Sequence, residues 1–124
     1  MDQEVLVTAG RLIMKELQDE GAPPRAVLWV HATDTDTWKL WIIPHKSLSD
    51  KREFYRRLAT IVAKHRTQLG GVDAADVEII TEQHPAIRGM RRAFKVTGQG
   101  VATVRNSLFD GYYLAEAIIM RMDL

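Results

Sequence analysis

Residues 101–122 read VATVRNSLFDGYYLAEAIIMRM, and the assignment of the fold turns on them. Asp110-Gly111 at the centre is a dipeptide favoured in two-residue hairpins, because both central residues of that turn need positive φ. Val101 to Phe109 and Tyr112 to Met122 then read as its strands. The Ala, Leu, Glu and Met of Leu114 to Met122 would also suit a helix. The strand reading is preferred, since Phe109, Tyr112 and Tyr113 suit a sheet and the turn signal is strong.

A two-residue turn sets the register, placing Phe109 opposite Tyr112 and Arg105 opposite Glu116 as a cross-strand ion pair. Strict alternation gives one face Ala102, Val104, Leu108, Tyr113, Ala115, Ala117 and Ile119, where small residues leave room for a helix packed above. The other face holds Val101, Thr103, Phe109, Tyr112, Leu114, Ile118 and Met120. That face is more apolar than a solvated one should be. Phe109, Tyr112, Leu114, Ile118 and Met120 are therefore the expected interface, covered by a second copy or a dedicated protein partner.

Upstream, Asp2 is an N-cap, and Val5, Leu6, Ala9, Leu12, Ile13 and Leu17 recur at helical spacing up to Gly21. Ala26 to His31 and Trp38 to Ile43 are runs rich in β-branched and aromatic residues, and read as an antiparallel hairpin. Asp50 with Glu53 makes a capping-box pattern that opens a helix over Lys51 to Leu69, ended by Gly70-Gly71. Val77, Ile79 and Ile80 suggest a strand. Pro85 suits the first turn of a further helix with Ile87, Met90 and Phe94 on its apolar side. The expectation is a single α+β domain over residues 1–124, in the order α-β-β-α-β-α-β-β. It has a mainly antiparallel sheet of about five strands, with the two long helices on one face.

Composition bounds the chemistry. The chain has 124 residues, 46% of them hydrophobic and 27% charged, the balance of an ordinary globular domain. The absence of cysteine excludes disulfides, thiolate metal sites and thiol nucleophiles. No apolar run approaches the roughly 20 residues of a membrane helix, and the first ten residues carry acids where a secretory signal carries Lys or Arg. A cytoplasmic location is the simplest expectation. No Walker loop, dinucleotide glycine pattern, nucleophile elbow or H-E-x-x-H motif is present, so no cofactor and no catalytic set are expected.

The formal net charge of +1 conceals a segregation. Residues 1–50 hold five basic and eight acidic side chains, residues 51–95 ten and five, and the remainder two and three. Arg88, Arg91, Arg92 and Lys95 recur at i, i+3, i+4 and i+7 and would share one helical face. Four cations side by side call for a neighbouring anion: a nucleic-acid phosphate, an acidic partner surface, or the chain's own amino-terminal acids. The cations of residues 51–69 instead spread around the polar arc of their helix, as a solvated face would.

The histidines form no obvious set. His31 and His45 fall at opposite ends of the first hairpin, about 20 Å apart at about 3.3 Å per residue. His65 lies on the apolar side of its helix, where a core-edge histidine is the usual role, and His84 precedes Pro85 as a cap. Asp34 and Asp36 beside His31 make a poor metal cage, since Asp and Thr are ordinary turn residues. A small enzyme would require His65, His84, Glu78 and Glu116 to converge. Trp38 and Trp41 point to opposite faces of the first hairpin, so either both faces are core or one is a binding surface. The runs Trp38-Lys39-Leu40 and Asp110-Gly111-Tyr112 to Arg121 resemble segments of small bacterial proteins, a likeness that assigns no residue a role. The leading expectation is a non-catalytic interaction or regulatory module, acting as a homodimer or with a protein partner. The alternative is an anion or nucleic-acid binding protein using Arg88, Arg91, Arg92 and Lys95.

Overall fold

The computed structural model describes residues 2–48 and 50–124. Helix α1 (Gln3–Asp19) leads into strands β1 (Ala26–Ala32) and β2 (Thr37–Ile43). Helix α2 (Lys51–Lys64), strand β3 (Val77–Ile79), helix α3 (Pro85–Ala93) and strands β4 (Ala102–Phe109) and β5 (Tyr112–Met122) follow. The five strands form one open sheet in the order β3-β2-β1-β5-β4. The sheet is mixed: β3 runs parallel to β2, because the chain crosses over through α2 before returning, whereas the other neighbours are antiparallel.

Each helix starts where a side chain can take up its free amides. Asp2 accepts the Glu4 N–H at 2.8 Å, and Asp50 accepts the Arg52 N–H at 2.9 Å. His84 Nδ1 accepts the Ala86 N–H at 3.1 Å ahead of Pro85. The second helix is shorter than its periodicity predicts. It stops at Lys64, and a 3₁₀ turn over Arg66–Gln68 carries the chain to Gly70 and Gly71, both at positive φ. His65 closes that turn through a 2.7 Å bond between its Nδ1 and Gln68 Oε1.

Two cores sandwich the sheet. Leu6, Ile13 and Leu17 of α1 and Phe54, Leu58 and Val62 of α2 pack with Trp29, Leu40, Ile42, Ile118 and Met120. On the opposite side Ile87 and Met90 of α3 pack with Leu28, Trp41, Val104, Leu114, Ala117 and Ile119. Trp29 and Trp41 are thus both buried, one in each core, while Trp38 packs against the first. Trp29 donates its indole N–H to the Leu6 carbonyl at 2.7 Å and so ties β1 to α1.

The hairpin β4–β5 has the register read from Asp110-Gly111, with Phe109 opposite Tyr112 and Arg105 opposite Glu116. Its faces differ from strict alternation. Asn106 sits at φ 46°, in the left-handed region, and the ladder skips it between Arg105 and Ser107. The pleat turns over at that point. Phe109 and Leu114 therefore join Val104, Ala117 and Ile119 in the α3 core, and Leu108 and Tyr113 are left exposed. A single helix, α3, takes the small-residue face, and the two longer helices α1 and α2 share the other, with α1 over Ile118 and Met120.

Candidate functional site

Each basic residue of the α3 region lies beside a carboxylate of the chain, none of them one of the amino-terminal acids, and the three carboxylates concerned are shared among five cations. Helix α3 ends at Ala93, and Phe94 is extended at φ −131° and ψ 139°, so Lys95 leaves the helical face predicted for it. Lys95 pairs with Asp123 at 3.1 Å, and Arg91 lies 3.8 Å from Glu82, which also holds Arg25 at 2.9 Å. Arg88 and Arg92 both reach Asp110 at the tip of the β4–β5 hairpin. The hydrogen bond from Arg92, with Arg88 nearby, holds the Asp110 carboxyl below its ordinary value. The anion that four clustered cations require is thus supplied by the chain.

The five residues expected at an interface separate into two groups. Leu114, Ile118 and Met120 are buried inside the chain, Ile118 and Met120 in the α1–α2 core and Leu114 in the α3 core. Phe109 is half-buried, its ring 6.3 Å from that of Phe94 and its backbone against Gly89 of α3. Tyr112 remains exposed at the surface. The apolar excess read on this face is met largely by the chain's own helices.

What stays exposed lies mainly on the same hairpin. Leu108 is 68% exposed, Tyr113 55%, Val101 42% and Tyr112 37%. Leu108 and Tyr113 are register partners, so they form one continuous apolar spot. Strand β4 is also an edge of the sheet. Asn106 interrupts that edge midway, and its side chain accepts the Tyr113 hydroxyl at 2.7 Å.

A cleft opens where the two hairpins part. Strand β1 pairs with β5 only as far as Val30 opposite Ala117, so residues 112–116 of β5 have no partner on that side. Trp41, Tyr112, Tyr113, Lys39, Glu78 and Asp34 are among the residues lining a cavity of about 270 Å³ there. His84 packs behind it, with ring centroids 4.8 Å from both Trp41 and Tyr112. Burial pushes the His84 imidazole below its ordinary value. Its Nδ1 is committed to accepting the Ala86 amide, which likewise favours the neutral ring.

The other histidines have separate partners. His65 bonds the Glu16 carboxylate of α1 through Nε2 and so sits at the edge of the core. His31 bonds Asp36 at 2.8 Å, and His45 bonds Ser47 at 2.8 Å. Among the described residues, no group of three His, Asp or Glu side chains is arranged to hold a metal ion. Glu116 belongs to Arg105 and Gln3 on the far part of β5, while Glu78 stands beside Trp41 in register. The roles of Glu82, Asp110 and Asp123 had no sequence signal, because each meets a cation distant along the chain. Set against known proteins, the chain matches no family model, no curated protein and no solved structure.

Proposed function

We propose that the chain is a non-catalytic interaction module that associates through the β4–β5 hairpin, with a second copy as its partner. The observation that carries this reading is the exposed cross-strand pair Leu108 and Tyr113, with Tyr112 beside it, on a hairpin at a sheet edge; Val101 is exposed at the other end of β4. Scattered exposed apolar residues need no explanation, but a contiguous set at an edge marks an association surface. The kink at Asn106 shortens the regular edge. Leu108 and Tyr113 therefore supply the main contact, and backbone pairing is subsidiary. The cations of α3 do not carry the proposal, since each already sits beside a carboxylate.

Light scattering over a range of concentrations tests it. The expected result is a concentration-dependent dimer that becomes monomeric when Leu108→Asp and Tyr113→Asp are introduced together, with the circular dichroism spectrum unchanged. A strict monomer at every concentration rejects the proposal.

A further inference from the structure

The cleft between the hairpins borders the association surface at Tyr112 and Tyr113 but adds a chemistry of its own. The Trp41 and Tyr112 rings stand at 65° to each other with centroids 6.0 Å apart, and so form a corner. His84 lies against both rings and fixes them. Glu78 stands beside Trp41 on the neighbouring strand, and Asp34 completes the lining from the β1–β2 turn.

The charge pairing elsewhere makes these two acids stand out. Among the described residues, every acidic side chain except Glu4, Asp34 and Glu78 meets a cationic or imidazole nitrogen or an amide at the start of a helix. Asp34 accepts only the neighbouring Thr35 amide, at 3.0 Å. Two of the three exceptions therefore line the same cavity, which is also its aromatic one. Of the basic groups of the lining, His31 is bound to Asp36, whereas Lys39, whose Nζ lies 3.4 Å from the Ala75 carbonyl, keeps its charge and opposes the two acids in part.

Aromatic ring faces attract cations through their quadrupole, and adjacent carboxylates supply net charge; together they disfavour an anion. A volume of about 270 Å³ accommodates a small head group and a short stem. The geometry points to an organic cation, an ammonium or guanidinium head on a short aliphatic stem, as the ligand of this cleft. Such a head is offered either by a free small amine or by a lysine or arginine side chain of another polypeptide.

The test is an NMR titration of the whole chain, following the Trp41 indole N–H and the amides of residues 112–115. The probes are tetramethylammonium, Nα-acetyl-lysine methylamide, the norleucine analogue of that amide, and a capped pentapeptide with one lysine among alanines. Saturable shifts at millimolar concentration are expected with the two small cations and not with norleucine. Glu78→Gln combined with Asp34→Asn should weaken binding roughly three- to tenfold while the remaining spectrum is unchanged. Lys39→Met should strengthen it, by removing the competing charge. Tighter binding of the pentapeptide than of the lysine amide assigns a polypeptide source, and equal binding assigns a free amine. The absence of Trp41 shifts, an equal response to norleucine, or unchanged affinity in the double carboxylate variant overturns the inference. The Leu108→Asp variant, which leaves every residue of the cleft lining in place, should retain the titration while losing the association, so failure of the cleft and failure of the hairpin association are read separately.

Discussion

His84 combines a local and a tertiary role in one ring. Its Nδ1 caps α3, and its faces meet Trp41 and Tyr112. Burial lowers its proton affinity in the folded protein, whereas the unfolded chain takes up a proton near the ordinary histidine value. Between the two values the unfolded state holds more protons, so stability falls as pH drops through about 6.5 and continues to fall until the folded form also protonates. Urea midpoints for the native chain should therefore decrease from about pH 7.5 to 5.5, a window above the ordinary carboxylate values. His84→Asn preserves a capping side chain and removes the titration. Its decrease over the same window should be clearly smaller, and an equal decrease would show that His84 does not contribute to it.

Among the elements, the helices reach the sheet through glycine. A Cβ on Gly89 would lie 2.6 Å from Phe109 Cβ and 2.9 Å from its Cα, so α3 rests on the hairpin backbone itself. A Cβ on Gly10 would lie 2.5 Å from the Met120 sulfur, the end of a flexible side chain. Both substitutions to alanine gain about 1 kcal/mol of helix propensity. Gly89→Ala also forces backbone apart, and overpacking of that kind costs about 1–3 kcal/mol. Gly10→Ala needs a rotamer change of Met120 and a shift of a few tenths of an ångström at Trp29 Nε1, which would lie 3.2 Å away, but moves no backbone of the sheet. Urea denaturation should rank Gly89→Ala below Gly10→Ala in stability, with α3 detaching from β4; the reverse order would show that α3 is not seated as described.

At the scale of the molecule, the segregated charges meet across the fold. Glu16 and Glu20 of α1 reach His65 and Arg57 in the α2 region, and Asp110 and Asp123 from the last third reach Arg88, Arg92 and Lys95. Apart from Glu16–His65, which is half-buried, these pairs are exposed at one or both partners and contribute little individually, so the two cores flanking β1 and β5 dominate stability. Hydrogen exchange should be slowest at Leu28–Val30 and Ala117–Ile119, where strands lie on both sides and helices on both faces. Residues 112–116 have a partner on one side only, and together with the 33–36 turn they should exchange earlier. Uniform protection along β5 would mean that the cleft is closed in solution.

Helix starts at Asp2, Asp50 and Pro85, the Asp110-Gly111 turn and the pairing of Arg105 with Glu116 were legible in the sequence, because caps, turns and hairpin register depend on neighbours a few residues apart. So was the division of Trp38 from Trp41, which follows from the two-residue period of a strand. The inversion at Asn106 was not, since a single left-handed residue is compatible with the same composition and reverses every side chain beyond it. Nor was the choice of helix for each face: Gly10 and Gly89 permit close approach, but only the packed sheet supplies Met120 and Phe109 for them to approach. The fate of the basic stretch was likewise settled by folding, which brings Glu82, Asp110 and Asp123 within reach of cations remote in the chain. Local interactions specify elements, whereas which faces meet and which charges remain free depends on contacts between distant segments.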